Sequence, residues 1–193
     1  MRKAAGVINT FLLSLLLLAS ASCHSTHHIS GSKQPPKTQT TRISTEDYIA
    51  IYKDVAIETM HRYGIPASIT LAQAIIESAS GNSALARNAN NHFGIKCTSS
   101  WKGETYYRDN GKENSCYRAY KNAEQSFRDH ADFLTRDRYA VLFKYSSTDY
   151  KKWAHGLKRT GYASNPKYSQ TLIETIERYN LHYYDEKVKK HRY

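Results

Sequence analysis

Residues Ala72 to Cys97 read AQAIIESASGNSALARNANNHFGIKC. An almost wholly apolar run ends on a single glutamate, Glu77. Small and amide-bearing residues follow, then Phe93-Gly94-Ile95-Lys96. Leu71, Ala72, Ala74, Ile75 and Ile76 cover most of the circumference of a helix predicted over 66–79, so that helix belongs to the core. Thr70, Gln73 and Glu77 fall at i, i+3 and i+7 and form one narrow polar stripe. Such a stripe on an otherwise buried helix predicts a wet cleft along one side. Glu77 also sits near the negative end of the helix dipole. Apolar neighbours and a negative helix end both raise a carboxyl pKa. A carboxylic acid kept protonated near neutral pH suits proton donation to a glycosidic oxygen. The residues alone equally allow a surface glutamate, or a buried structural acid bonded to backbone amides.

Outward from this helix the pattern stays helical. Ser44 or Thr45 can cap a helix reaching Tyr63, with Ile51, Val55, Met60 and Tyr63 at roughly helical spacing and Gly64 as its stop. A short helix is predicted from Ser83 to Arg87. Asn122-Ala-Glu-Gln125 resembles a capping box before Phe127, Ala131 and Leu134. Tyr150, Trp153, Ala154 and Leu157 mark another helix, ended by Gly161. Pro166 opens the last, with Tyr168, Leu172, Ile176 and Tyr179 on one face. Between 97 and 121 the period changes. Thr105-Tyr106-Tyr107 and Ser115 to Tyr120 read as two short strands joined at Asp109-Asn110-Gly111. The fold class is therefore α+β, mostly helical with one small hairpin lobe.

Composition bounds the rest. The chain has 193 residues, 40% hydrophobic and 23% charged, with 16 tyrosines. That suits one globular domain with tails. Tyrosine-rich surfaces suit sugars or peptides, although a tyrosine-rich core gives the same count. Residues 1–22 read as a signal peptide, with Arg2 and Lys3 ahead of the apolar run Phe11 to Leu18. Small residues before Cys23 resemble a bacterial lipoprotein box, which would put a lipid anchor on Cys23 in a membrane. Ala19 and Ala21 alternatively fit a cleavage site that releases a soluble protein. Residues 23–45 have the composition of a disordered linker. The net charge of +11 is concentrated outside the body: 46–186 holds 19 basic against 17 acidic residues, a net of +2, and the tail 187–193 is basic. A nucleic-acid domain concentrates its basic residues on the folded body, so nucleic acid is not an expected partner.

The stretches Gly64 to Ser78 and Asn91-His-Phe-Gly-Ile-Lys96 carry a resemblance, supported later by Gly161-Tyr162-Ala163 and Asn165-Pro166-Lys167-Tyr168. Together they resemble the bacterial N-acetylglucosaminidases of glycoside hydrolase family 73, lysozyme-superfamily enzymes that cleave peptidoglycan. The likeness spans about 46–182. It implies a lysozyme-like domain over 46–186 that cleaves the β-1,4 bond after N-acetylglucosamine, without cofactor or metal. It implies Glu77 as general acid and, on the β lobe just before an Asn-Gly turn, Asp109 as the second carboxylate, with Glu104 and Glu113 as the other acids on that lobe. Gln73, Asn91, Phe93, Tyr162 and Tyr168 are the expected sugar-binding residues. Many members carry Glu-Ser-Gly-Trp-Gly where this chain has Glu77-Ser-Ala-Ser-Gly81, so a tryptophan surface is missing. Lys96 reads either as an electrostatic partner of the acid or as a solvated lysine.

A lytic transglycosylase of the same superfamily and a noncatalytic wall-binding protein are the competing readings. Metalloprotease, paired Cys-x-x-Cys and phosphate-loop motifs do not occur. With Cys23 at the terminus, Cys97 and Cys116 remain as a pair in an oxidising compartment, flanking the hairpin and expected to bridge and staple the β excursion of 97–121 to itself, or else to be two buried thiols.

Overall fold

The structure, a computed structural model, describes residues 41–109 and 114–187, with side chains over 41–108 and 115–186. The expected signal peptide, Cys23, most of the linker, the hairpin turn with Glu113, and most of the basic tail lie outside the described residues. No described helix is long and apolar enough to cross a membrane.

Helix α1 spans Thr45–Tyr63. Ser44 caps it, its hydroxyl accepting from the Asp47 amide at 2.9 Å, and Gly64 closes it in the left-handed region. Its buried face is Tyr48, Ile49, Ala56 and Met60; Ile51, expected on that face, is 55% exposed. Helix α2, Ala67–Ser78, is buried at ten of its twelve positions, as an all-round apolar helix must be. It packs against α1, against α5 (Tyr150–Arg159), against α6 (Tyr168–Arg178) and against α7 (Tyr183–Lys187). Helix α3, Ala84–Ala89, follows under a Ser83 cap, and α4, Ala123–Leu134, under an Asn122 cap. Sequence periodicity missed α7 and a 3-10 helix at Asp137–Lys144, both short pieces with little period to read.

The N-terminus of α2 has no side-chain cap of its own. Asp185 of α7 supplies one from across the core, accepting from the Ser68 amide at 2.8 Å and the Ser68 hydroxyl at 2.6 Å. Burial outweighs these bonds and pushes the Asp185 carboxyl up to about 6. Because the folded pKa is raised, the stability linked to this proton is complete below pH 4 or so and is lost as pH rises through about 6. Asp185→Ala would leave buried donors on α2 unpaired. It is expected to cost about 1–3 kcal/mol in urea unfolding, and an unchanged midpoint would refute that role.

The β lobe is a two-stranded antiparallel sheet of β1, Thr105–Asp109, and β2, Asn114–Arg118, with Thr105 opposite Arg118 and Asp109 opposite Asn114. The segment after Phe93 runs along the free edge of β2. Arg118 N–H donates to the Ile95 carbonyl and Cys97 N–H to the Cys116 carbonyl, each at 3.0 Å. The sulfurs of Cys97 and Cys116 lie at bonding distance, with Cα atoms 5.5 Å apart. Cys116 lies inside β2, so the link ties the start of the 97–121 excursion, next to the cleft segment 93–98, to the second strand of the lobe. With a sequence separation of 19, chain entropy assigns the bridge about 3 kcal/mol. In a Cys23→Ala background, thiol titration of the denatured, unreduced protein is expected to find no free thiol; two free thiols would refute the bridge.

Candidate active site

Glu77 is presented by the way α2 ends. Ala79, Ser80 and Gly81 all take positive φ (51°, 53° and 75°), turning the chain off the helix immediately after the carboxylate. The Ser78 hydroxyl ties this turn, donating to the Ala74 carbonyl at 2.6 Å and accepting from Gly81 N–H at 2.7 Å. A Cβ on Gly81 would come within 2.9 Å of the Tyr48 ring, so glycine is required there by both space and φ.

The turn opens Glu77 onto a cleft of about 640 Å³. One wall is the segment 93–98, and the other is the 162–165 loop with Tyr168 at the start of α6. Among the described residues, Glu77 is the single carboxylate lining this space. Its side chain is accessible to solvent, but protein stands on both sides of it. That desolvation raises its carboxyl pKa, and a hydrogen bond donated by the Tyr168 hydroxyl to Oε1 at 3.3 Å partly offsets the rise. Behind Tyr168, Gln73 Nε2 donates to the same hydroxyl oxygen at 3.1 Å. Gln73, Tyr168 and Glu77 thus form a chain of donors that ends on the acid. Tyr162 stacks on Tyr168 with ring centroids 5.6 Å apart, and burial keeps both phenols protonated.

The expected site residues therefore divide. Phe93, Tyr162 and Tyr168 line the cleft with Glu77. Phe93 is held flat against His130, centroids 3.9 Å apart. His130 is fully buried with neither ring nitrogen hydrogen-bonded, and burial pushes its pKa down to about 3, which keeps it neutral. Gln73 and Asn91, also expected as sugar contacts, are buried and are not part of the cleft lining. Gln73 sits one layer beneath the surface, because α6 covers the stripe that the helix pattern left open. Thr70 is buried with it. Asn91 is a backbone clamp. Its Nδ2 donates to the Ile95 and Arg118 carbonyls at 3.0 and 2.9 Å, and its Oδ1 accepts from Ile95 N–H at 3.1 Å. It thereby shapes the wall in which Gly94, at φ +66°, makes the turn. Lys96 lines the same cleft as Glu77, on the segment 93–98.

On the β lobe, Glu104 is exposed and lines a separate hollow beside Trp101 and Tyr120. Asp109 closes β1, and its side chain lies outside the described residues. Sequence reasoning missed Arg118, Phe133 and Arg136, which also line the cleft. Strand alternation offered one signal, since Arg118 shares a face with Cys116 two residues earlier. Phe133 and Arg136 carried none.

A helical body, a small β lobe and a carboxyl-bearing cleft together make a lysozyme-like domain. Residues 53–181 match the family model described as Glucosaminidase, mannosyl-glycoprotein endo-beta-N-acetylglucosaminidase, and the chain belongs to that family. It is similar to the exo-glucosaminidase LytG of Bacillus subtilis, 37% identical over 137 residues, which are 65% of this chain and 48% of LytG. The peptidoglycan hydrolase FlgJ of Pseudomonas aeruginosa is 31% identical over 73% of this chain and 39% of its own length. The glycoside hydrolase domain of Salmonella typhimurium FlgJ superposes with a TM-score of 0.62 at 30% identity, covering 77% of this chain and 94% of that domain. The chain spans less than half the length of the two curated relatives.

Proposed function

We propose that this chain is a peptidoglycan hydrolase that cleaves the β-1,4 bond following N-acetylglucosamine, with Glu77 as general acid. The observation that carries the reading is the Glu77 carboxyl, desolvated in the cleft and met by the Tyr168 hydroxyl. In this reading the protonated carboxyl donates to the leaving oxygen. The Gln73–Tyr168 chain then steadies the carboxylate that results, and Phe93 and Tyr162 offer apolar faces to the sugar rings. Asp109 is the proposed second group, with the role of activating water or steadying the developing positive charge.

One observation favours a second reading. A lytic transglycosylase uses a single glutamate, and Glu77 is the one carboxylate lining the cleft among the described residues. Mass spectrometry of purified peptidoglycan after digestion separates the cases. Hydrolysis leaves a reducing N-acetylglucosamine end, transglycosylation an anhydromuramyl end, and a binding module leaves the polymer intact.

The same reading locates the protein at the cell envelope, anchored through an acylated Cys23 with 24–45 as a tether. A Cys23→Ala form is expected to leave the membrane fraction while the native form stays, since each buried methylene of an acyl chain contributes about 0.8 kcal/mol. Soluble partitioning of both forms would replace the anchor with a released envelope protein.

A further inference from the structure

The cleft carries more positive charge than the proton transfer uses. Lys96 and Arg118 on one wall and Arg136 after α4 line it, against the single carboxyl of Glu77 among the described residues. Arg118 is already committed. It is buried, its Nη1 donates to both carboxylate oxygens of Asp129 at 2.7 and 2.9 Å, and its guanidinium lies 4.4 Å over the Trp101 ring. Lys96 and Arg136 are different. Both are exposed, and no carboxylate among the described residues stands within ion-pair reach of either. Each rests on a ring instead, Lys96 at 5.9 Å from the Tyr117 centroid and Arg136 at 4.6 Å from that of Phe133. Rings position a cation while leaving its N–H donors free.

Burial raises the Glu77 carboxyl pKa and the Tyr168 hydrogen bond partly offsets the rise. With only a ring beneath each, Lys96 and Arg136 have donors to offer an anion in the cleft. A polymer of N-acetylglucosamine offers them none, because its hydroxyl and amide groups are neutral. A strand that alternates with N-acetylmuramic acid does: each muramyl residue carries a carboxylate, either on its lactyl ether or on the peptide attached there.

Resting on the glycosidase reading, we propose that Lys96 and Arg136 bind the carboxylate borne by a muramyl residue and make this a cleft selective for muramyl-containing strands over neutral N-acetylglucosamine polymers. Both are specificity residues; neither takes part in the proton transfer.

The test titrates full-length Glu77→Gln protein, with and without the added pair Lys96→Gln and Arg136→Gln, by calorimetry at low and high salt. Three tetrasaccharides serve as probes: the N-acetylglucosamine tetramer, the alternating muramyl tetramer with free lactyl carboxylates, and the same tetramer bearing peptides. The double substitution is expected to weaken muramyl binding about tenfold, in a salt-dependent way, and to leave the neutral tetramer unchanged. A loss on the free-lactyl probe alone assigns the lactyl carboxylate, a loss on the peptide-bearing probe alone assigns the peptide carboxylate, and a loss on both shows that a carboxylate in either place is bound. Equal losses on all three, or no loss, overturn the proposal. In parallel, with Glu77 restored, the double variant is expected to raise KM on intact walls with kcat unchanged, and an unchanged KM also overturns it. Walls left uncut by the native chain would instead sink the glycosidase reading, while the binding comparison would still stand.

Discussion

Glu77→Gln is expected to preserve the fold and to slow wall cleavage by about 10²–10⁴-fold, the usual contribution of general acid catalysis. Glutamine keeps the length of the side chain and an oxygen for the Tyr168 hydroxyl to bond, so the 3.3 Å contact has a successor. What it loses is a proton that can be transferred. Since Glu77 belongs to the accessible end of a helix whose other residues are core, the melting temperature should barely move. The sign of the pH dependence follows from the raised pKa. The working form is the protonated one, so native activity should fall as pH rises through that elevated value, and the limb should be absent from the residual activity of the variant. Turnover of purified walls by a folded Glu77→Gln protein at the native rate would remove Glu77 from the mechanism.

The second large effect is expected at the β lobe. Asp109→Asn should lower activity by roughly 10²-fold or more, on the scale of a lost acid–base or charge-stabilising group. A developing oxocarbenium ion needs a carboxylate or an activated water on the face opposite the acid. Glu77 has no carboxylate companion among the described lining of the cleft, and Glu104 lines a different hollow. Asp109 closes β1, on the lobe where the second acid is expected. Three amide variants, at 104, 109 and 113, assayed on intact peptidoglycan, separate the acids of the lobe. Full activity in Asp109→Asn would move the role to Glu113 or to the substrate's own N-acetyl group.

Much of the fold was legible because the signals are local. Ser44, Ser83 and Asn122 cap helices through side-chain bonds to amides three residues ahead. The change from helical spacing to alternation located β1 and β2. The run from Leu71 to Ile76 identified α2 as core. The placement of Glu77 at the exposed end of that core helix was legible for the same reason, since the break in the apolar pattern and the break in the helix coincide.

Where each polar residue of the stripe faces was decided only in three dimensions. Gln73 and Glu77 look alike on a helical projection, one turn apart. Tyr168, 95 residues beyond Gln73 and 91 beyond Glu77, covers the first and leaves the second open to the cleft. Asn91 likewise became a clamp only because β2 returns beside it, 27 residues later, with the Arg118 carbonyl. Lys96, Arg118 and Arg136 come from separate segments, and no spacing joins them before the chain folds. Helix caps and periodicity are written in neighbours along the chain. Burial, desolvation of a carboxyl and the gathering of charge in a cleft depend on which distant segments pack together, and the tertiary structure alone fixes that.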